Sequence, residues 1–381
     1  MLTKCYLPVY DERKSIFFAL GRNAIYAACR ILDIKADDEI LTPAFDCDTV
    51  LQPFRVLGCR IKFFRQAPRT FDADIDDIKR QITPKTKLLH IINHFGMPQS
   101  WDKLLELRGE TGIPILEDNA YSLFSSVNGK LFGTFGDISI FSLRKNLPLT
   151  DGGMLRINNP QYSFKLKYNK APWLYSSEAI QLLGAIKNKL GFSDFLREIQ
   201  HSVLRCTTLV EPPPLYSEKE KGYPEWKSRD HIGREFSRDY LRPISRLASF
   251  QLSKISHQDY IEIMKKKRQF YNYLAGKICV FPGIEVLWPK LPEEAVPFCV
   301  SCLVERRRDI LLAALRRKYN VMAWPTLSIS VLKRLQEFPE VIILGRKLLQ
   351  FNLPADKVIL PEFSDYIDRL VNDMRILIKE Q

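Results

Sequence analysis

The chain alternates, from Gly21 to about Leu155, between apolar strand-like runs and amphipathic helical segments, and this alternation constrains the fold more than any other feature. The runs at Lys87–Ile92 and Ile113–Leu116 are almost continuously apolar, and helical patterns cover Arg22–Leu32 and Trp101–Arg108. Further short elements are predicted at Glu39–Leu41 (strand), Thr49–Leu57 (helix) and Arg60–Phe64 (strand). Strands that are apolar on both faces and separated by helices build a mainly parallel sheet with helices on both sides. The sequence therefore predicts an α/β fold with a mainly parallel central sheet flanked by helices.

The pattern changes after Gly153. Residues 160–210 carry helical patterns rich in Lys and Leu, and three prolines followed by a polar stretch then interrupt the periodicity. We interpret 156–240 as a divergent helical and loop excursion. Beyond it the sequence predicts a helix from about Leu247 to Ala275, strands at 283–288 and 297–304, a helix near 306–318 and a closing helix from about Asp365 to Lys379. These elements indicate a large α/β domain at 1–240 and a smaller C-terminal α+β domain at 241–381.

Composition narrows the class of protein. The chain has 381 residues, of which 46% are hydrophobic and 27% charged, which excludes a disordered or collagen-like chain. Its net charge of +13 favours anionic partners such as phosphates. No run approaches the roughly 20 apolar residues of a membrane-spanning helix, and the segment after Met1 lacks the apolar core of a signal peptide. We therefore expect a cytoplasmic protein without a transmembrane segment.

Neither the cysteines nor the basic runs indicate a metal centre or a nucleic-acid site. Cys299 and Cys302 have the spacing of a ligand pair, but they lie in an apolar strand-like run and no second pair follows at zinc spacing. The runs at 265–268 and 306–308 are basic but lack a recognisable binding motif. We predict no metal and no specific nucleic-acid partner.

The residues that could carry chemistry are densest between His94 and Gly153. Asp118 ends an apolar run, and Lys145 follows another strand 27 positions later. In an α/β sheet, ligands bind at the carboxyl ends of the strands. A lysine that can form a Schiff base, together with a carboxylate that keeps a ring nitrogen protonated, is what pyridoxal phosphate chemistry requires. An Asp at a strand end can equally cap a helix, so spacing alone leaves both interpretations open.

A series of short motifs in the same region resembles the DegT/DnrJ/EryC1/StrS family of nucleotide-sugar aminotransferases. The matching segments are Gly21-Arg22-Asn23-Ala24, Pro43-Ala44-Phe45, His94-Phe95-Gly96-Met97-Pro98, Glu117-Asp118-Asn119-Ala120, Gly136-Asp137 followed by the strand ending in Phe141-Ser142, Lys145 itself, and Gly152-Gly153. Looser similarity continues in Leu247–Leu252, Lys267–Leu274, Trp324-Pro325 and Asn352-Leu353-Pro354. The resemblance implies the fold type I of PLP-transferases.

The resemblance also implies roles for particular residues. Lys145 would bind pyridoxal 5′-phosphate as a Schiff base and, once released, act as the base that moves the substrate proton. Asp118 would pair with the pyridine nitrogen of the cofactor. The cofactor phosphate would bind at the start of a helix, where free amides attract anions. Its predicted contacts are Ser142 and the backbone amides of Gly21, Arg22 and Asn23.

Three departures from the family pattern predict a remodelled pocket. Only Leu143 and Arg144 separate Ser142 from Lys145, a shorter spacing than the family usually has. Tyr121 occupies the position of the residue that contacts the phenolic oxygen of the cofactor, and a phenol can donate that hydrogen bond. The ring-stacking aromatic residue of the family has no counterpart near Cys47, so we expect Phe45 or His94 to cover the cofactor ring.

These features predict an aminotransferase that transfers an amino group, from glutamate, to a nucleotide-linked keto-sugar for amino-sugar or surface-polysaccharide synthesis. The resemblance also implies a homodimer. A PLP-dependent sugar dehydratase is an alternative, although its known relatives replace the Schiff-base lysine with histidine, and Lys145 argues against it. A non-catalytic binding or regulatory relative is a further alternative. Ser142-Leu143-Arg144-Lys145 also matches the Ser-x-x-Lys motif of penicillin-recognising enzymes, but that motif requires a helix and a downstream Lys-Thr-Gly, and neither is indicated here.

Overall fold

The computed structural model describes residues 5–163, 170–175, 240–305, 308–316, 318–323, 327–353 and 363–379. Most of the predicted excursion at 156–240, as well as Trp324, Pro325 and Pro354, lies outside these ranges. The strands are β1 Ser15–Phe18, β2 Glu39–Pro43, β3 Arg60–Phe64, β4 Thr86–Ile92, β5 Ile115–Asp118, β6 Ser126–Val127, β7 Lys130–Leu131, β8 Ile138–Phe141, β9 Gly153–Ile157, β10 Ile284–Val286, β11 Cys299–Val304, β12 Val321–Met322 and β13 Leu348–Asn352. The helices are α1 Gly21–Ile31, α2 Asp48–Val56, α3 Ile75–Gln81, α4 Trp101–Thr111, α5 Leu143–Asn146, α6 Arg246–Ser253, α7 His257–Ile278, α8 Arg308–Leu315, α9 Ile329–Leu332, α10 Pro339–Lys347 and α11 Phe363–Lys379.

A seven-stranded sheet with the order β1-β9-β8-β5-β4-β2-β3 forms the centre of the N-terminal region. The pairs that join β3, β2, β4, β5 and β8 are parallel, whereas β9 pairs antiparallel with both β8 and β1. The prediction of a mainly parallel central sheet is confirmed. The predicted strands and helices between Arg22 and Leu116 are also confirmed, with ends that differ by a few residues.

Side-chain burial explains why this sheet is stable. The parallel strands β4, β5 and β8 are buried along nearly their whole length, as their apolar runs predict. Helix α1 packs through small residues, since Ala24, Ala27 and Ala28 are fully buried. Small side chains let a helix lie close to the sheet and to the loops at its edge.

The C-terminal region contains a separate four-stranded sheet with the order β10-β11-β13-β12. The strand pairs in this sheet are antiparallel, and α7, α8 and α11 contribute buried apolar side chains to the core beside it. The predicted strands near 283–288 and 297–304 and the closing helix are confirmed. The domain boundary at 240/241 stays a prediction. The segment just after it still contacts the first sheet, since Ala19 N donates to Arg242 O over 2.9 Å.

The prediction of one helix from about Leu247 to Ala275 is wrong. The chain forms α6 and α7 instead, with a break between Ser253 and His257. Ser256 and Asp259 form a capping box at this break, in which Ser256 N donates to Asp259 Oδ2 over 2.9 Å and Asp259 N donates to Ser256 Oγ over 3.2 Å. Reciprocal bonds of this kind satisfy the free amides at a helix start and so fix the start of a new helix.

Two further features of the fold concern membrane spans and the pair of cysteines with ligand spacing. None of the helices within the described ranges is long and apolar enough to cross a membrane. Cys299 and Cys302 lie on the buried strand β11, where residues three positions apart face opposite sides of the sheet.

Candidate active site

The candidate residues meet at the carboxyl-terminal edge of the parallel strands. Asp118 is the last residue of β5 and pairs in register with Ile92 of β4 and Ile140 of β8. His94 follows β4 by two positions, and Ser142 directly follows β8. Because parallel strands end at the same edge, the topology alone brings the residues after β4, β5 and β8 together.

Asp118 is held in one orientation by buried hydrogen bonds. The residue is 1% exposed, and its Oδ1 accepts from Ala120 N over 2.8 Å. Its Oδ2 lies 3.2 Å from His90 Nε2, and His90 Nδ1 lies 2.9 Å from Thr42 Oγ1. This series of contacts fixes the Asp118 carboxylate at the strand end.

His90 is a candidate functional residue that belongs to none of the motifs identified in the sequence. It is fully buried, as a core residue would be, but its ring contacts the Asp118 carboxylate. The signal in the sequence is a single histidine within the apolar run of β4. Its partner could not be identified without the strand pairing.

Lys145 lies on α5, and its Nζ is 3.9 Å from the centroid of the Tyr121 ring. Burial lowers the pKa of the Lys145 ammonium, while the thiol of Cys47 and the carboxyl groups of Asp118 and Asp46 oppose that shift. A lysine with a lowered pKa carries a larger fraction of neutral, nucleophilic amine. The structure therefore brings Lys145 and Asp118 into one electrostatically coupled site.

Tyr121 contributes its ring face and its hydroxyl group. Burial, reinforced by the negative groups of the site, raises the pKa of the Tyr121 phenol well above its ordinary value. The phenol therefore keeps its proton and can donate a hydrogen bond, which is what the predicted contact to the cofactor's phenolic oxygen requires.

The start of α1 lies next to Ser142. An ideal Cβ on Gly21 would stand 3.4 Å from Ser142 Cβ. Helix α1 has no side-chain cap at Leu20 and no acidic residue in its first turn. An uncapped helix start of this kind attracts an anion such as phosphate.

One of the residues predicted to contact the phosphate, Asn23, already makes hydrogen bonds within the protein. The Asn23 amide donates to Leu20 O over 3.0 Å, and its side-chain Nδ2 donates to Tyr240 O over 3.0 Å. Asn23 thus holds the loop at Tyr240. The remaining predicted amide donors are those of Gly21 and Arg22, together with the Ser142 hydroxyl.

Several buried aromatic side chains follow β2 and β4 and pack against one another. Phe45 and His94 are both buried, and the His94 ring stacks on Phe71 with 5.1 Å between centroids. Phe71 in turn stacks on Trp288 at 5.9 Å. Burial lowers the pKa of His94 to about 4, so its ring is neutral at physiological pH. Phe71 and Trp288 were not predicted from the sequence, because neither belongs to a motif.

Asp46 is a second buried carboxyl group that the sequence analysis missed. It follows Phe45 just beyond β2 and is 4% exposed. Burial and the nearby Asp118 raise its pKa well above the ordinary value. The only signal in the sequence is an acidic residue directly after Pro43-Ala44-Phe45.

Glu117, next to Asp118, has a structural role. It is fully buried and its carboxylate accepts hydrogen bonds from five groups, which are Gly133 N, Phe135 N, Gly136 N, Ser139 Oγ and Asn93 Nδ2. A carboxylate that accepts several amide bonds stabilises the loop that supplies them. Glu117 therefore fixes the loop before β8, and Asp118 remains available for chemistry.

This donor set fits pyridoxal phosphate. Lys145 provides a partly desolvated amine, Asp118 a fixed carboxylate, and α1 together with Ser142 an uncapped anion site. The three groups are those that the cofactor's aldehyde, ring nitrogen and phosphate require. The Tyr121 ring packs on the Lys145 amine, and the His94 ring stacks on Phe71.

Gly153 is needed for the close approach of β9 to α1, and replacing it should disturb the anion site. A Cβ at this position would lie 2.4 Å from the carbonyl carbon and oxygen of Leu20 and 2.8 Å from Gly21 N. We expect Gly153→Ala to destabilise the protein by about 1–3 kcal/mol and to weaken inorganic-phosphate binding, as measured by thermal unfolding with and without phosphate. Gly109→Ala is the matched control, since nothing lies within 4 Å of its Cβ position. Equal behaviour of the two variants would contradict the proposed packing.

Comparison with known proteins adds three findings. The family model described as the DegT/DnrJ/EryC1/StrS aminotransferase family matches residues 10–206. The dTDP-4-dehydro-2,3,6-trideoxy-D-glucose 4-aminotransferase of Saccharopolyspora spinosa is 29% identical over 159 residues, which are 41% of this chain and 41% of that protein. The GDP-4-keto-6-deoxy-D-mannose 3-dehydratase of Escherichia coli O55:H7 is 35% identical over 109 residues, which are 29% of this chain and 28% of that protein.

Solved structures share the fold over a longer range. The crystal structure of the aminotransferase TlmJ from Streptoalloteichus hindustanus superposes with a TM-score of 0.65 at 17% identity, covering 96% of this chain and 87% of that one. At this identity the likeness concerns the fold alone. In sequence, the chain spans less than half the length of the two curated relatives described above.

Proposed function

The chain belongs to the DegT/DnrJ/EryC1/StrS aminotransferase family, and from this premise we propose that it is a pyridoxal-phosphate-dependent aminotransferase acting on a nucleotide-linked keto-sugar. Aminotransferases of this family depend on pyridoxal phosphate. The proposed amino donor is glutamate. The family gives the reaction class, and the site described above supports it residue by residue.

The observation that carries the proposal is the coupling of Lys145 and Asp118 in one buried site. Lys145 Nζ lies against the Tyr121 ring and interacts electrostatically with the Asp118 carboxylate. Asp118 is fixed by His90 and by the Ala120 amide. A nucleophilic amine and a fixed anion are the two groups that amino transfer through this cofactor cannot do without.

Each residue then has a definite task. When bound, pyridoxal phosphate supplies an aldehyde for amines and a cationic ring that withdraws electrons from the substrate carbon. Asp118 keeps the ring nitrogen protonated. Lys145 accepts and returns the proton at the substrate carbon in both half reactions. Tyr121, Phe45 and His94 exclude water, which strengthens the charge interactions in the site.

The proposed acceptor of the amino group, a nucleotide-linked keto-sugar, is supported by the names of the relatives and by the net charge of this chain. Those relatives act on sugars linked to dTDP or GDP, according to their names. A nucleoside diphosphate carries negative charge, which the net charge of +13 attracts. The homodimer that the resemblance implies is also a proposal, and light scattering after size-exclusion chromatography tests it.

The dehydratase interpretation has a specific observation in its favour, because the relative with 35% identity bears that name. Lys145 argues against it, since the known dehydratases carry histidine in place of the Schiff-base lysine. A non-catalytic relative would keep the fold without using Lys145.

One experiment separates these functions. The purified protein, loaded with pyridoxal phosphate, is incubated with a panel of keto-sugar nucleotides and glutamate, and the products are read by mass. An amino-sugar nucleotide formed together with 2-oxoglutarate is the expected product. A product that has lost water from the sugar indicates the dehydratase. A protein that takes up no cofactor indicates the non-catalytic relative.

A further inference from the structure

Asp46 is a buried acid, and one of its two carboxyl oxygens has no hydrogen-bond partner in the described part of the chain. Its Oδ1 accepts from Cys47 N over 2.6 Å. Its Oδ2 is completely buried and lacks a partner among the residues that the structure describes. A buried carboxylate without a compensating donor is costly, whereas a protonated carboxyl group avoids that cost.

Strand topology places Asp46 in the active site. It follows β2, which pairs in parallel with β4, and β4 pairs in parallel with β5. The His94 ring after β4 interacts electrostatically with the backbone of Phe45, the residue before Asp46. Asp46 therefore lies at the same sheet edge as Asp118.

The charged and titratable groups around Asp46 come from several elements. They are Asp118 at the end of β5, Lys145 on α5, the neutral His94 after β4, and Cys47 and Asp48 on its own segment. The negative charge of Asp48 is compensated by Arg55, whose guanidinium donates to both carboxylate oxygens over 2.6 and 2.9 Å. The side chain of Lys145 therefore interacts electrostatically with both Asp118 and Asp46.

We propose that Asp46 is a second functional carboxyl group of this site, which holds a proton at neutral pH and exchanges it with the Lys145 amine. Asp118 accepts a hydrogen bond from Ala120 N and contacts His90 Nε2, whereas Asp46 Oδ2, at the same sheet edge, has no partner among the described residues. Asp46 Oδ2, the carboxyl oxygen without a donor among the described residues, is therefore the atom at which a proton is best accommodated. Two carboxyl groups in one site commonly divide their roles in this way.

The proton transfer balances. The resting state forms when the N–H bond of the Lys145 ammonium breaks, its electron pair remains on Nζ, and the proton forms an O–H bond with the Asp46 carboxylate at Oδ2, which leaves a neutral amine beside a neutral acid. When the neutral amine then condenses with an aldehyde, the carbonyl oxygen leaves as water. The nitrogen loses two protons in all and the departing oxygen gains two. One passes from the nitrogen to the oxygen as the C–N bond forms, and Asp46 gives the second to the oxygen and receives the remaining N–H proton, so that its own state is restored. This catalytic half of the inference rests on the proposed function, whereas the resting state can be tested without cofactor or substrate.

Infrared spectroscopy of the apoprotein tests the resting state directly. We expect a C=O stretching band of a protonated aspartic acid at neutral pH, assigned by ¹³C-labelled aspartate, and we expect Asp46→Asn to remove it. Asp48→Asn, two positions away and ion-paired with Arg55, is the matched control and should keep the band. The absence of such a band from the labelled wild-type protein overturns the proposal, even if Asp46→Asn does not fold.

The reactivity of Lys145 gives an independent readout. In the apoprotein, the rate of Lys145 acylation by acetic anhydride is followed against pH by peptide mass. If Asp46 holds the proton, Asn mimics the neutral acid, so Asp46→Asn leaves the apparent pKa of Lys145 unchanged. If the resting pair were instead an ion pair, removing the anion would lower that pKa by about one unit or more, and this result overturns the proposal.

The holoenzyme provides the catalytic readout. We expect Asp46→Asn to slow condensation of the cofactor with Lys145 by about a hundredfold, measured as the rise of the visible absorption band after mixing. An unchanged rate overturns the catalytic half of the inference. If the sugar panel fails while the infrared band is present, the proposed function is wrong and the proton assignment of Asp46 stands.

Discussion

Lys145→Met removes both the visible absorption of the cofactor-loaded protein and the aminotransferase activity. Methionine has nearly the same length and suits a buried position, so the fold should be retained. Without the amine there is no covalent attachment and no base at the substrate carbon. The loss of a nucleophile that acts as part of a unit typically costs roughly 10⁴-fold or more in turnover. The measurements are the absorption spectrum after loading and the single-turnover rate with glutamate.

Lys130→Met is the matched control for this experiment. Lys130 is an exposed lysine on β7, where its ammonium lies 4.3 Å from the centroid of the Phe135 ring. The same chemical change there should leave absorption and activity at wild-type levels. Activity of Lys145→Met within tenfold of the wild type would show that Lys145 is not the reactive lysine.

Asp118→Asn should lower turnover by roughly 10²- to 10⁴-fold while the cofactor is still bound. The side chain keeps its shape but loses the charge that holds the proton on the ring nitrogen. Removing one partner of a buried charge pair costs about 3–5 kcal/mol, and each 1.36 kcal/mol corresponds to a tenfold change in rate. The test is kcat for glutamate half-transamination, together with thermal unfolding to verify the fold.

Two further variants serve as comparisons for Asp118→Asn. His90→Gln keeps a hydrogen-bonding group near Asp118 and should reduce turnover by much less, because His90 orients the carboxylate and does not replace its charge. Asp102→Asn, an exposed acid on α4, should have no effect. If Asp118→Asn behaves like Asp102→Asn, the assigned role of Asp118 is wrong.

The sequence was sufficient to predict the parallel part of the central sheet. Strands such as β4 and β5 are apolar on both faces, and this pattern arises only when helices cover both sides of a sheet. The same logic located Asp118, because an acidic residue that ends such a strand lies at the sheet edge where ligands bind. Lys145 followed from its place after β8 and from the family resemblance.

Other parts of the structure depend on pairings that periodicity does not encode. The break between α6 and α7 depends on the reciprocal bonds of Ser256 and Asp259, within a stretch whose helical pattern is otherwise continuous. His90 and Asp46 become functional candidates only when β4 and β2 are placed beside β5. Each is a single polar residue in an apolar context, and its partners are distant in sequence.

The order of the strands also explains why the second carboxyl group was missed. Asp46 and Asp118 are far apart in the chain, and β4 lies between their strands in the sheet. The motifs in the sequence assign a single acidic residue, Asp118, to the cofactor. The structure adds a second acid that shares the same lysine.

Borohydride reduction of the cofactor-loaded protein, followed by peptide mapping, tests most directly whether Lys145 holds the cofactor. Reduction makes the bond between the cofactor and its lysine permanent, and the labelled peptide is then identified by mass. We predict a single label on Lys145. A label on another lysine, such as the buried Lys267 on α7, or no label on a protein that has bound the cofactor, would contradict the assignment.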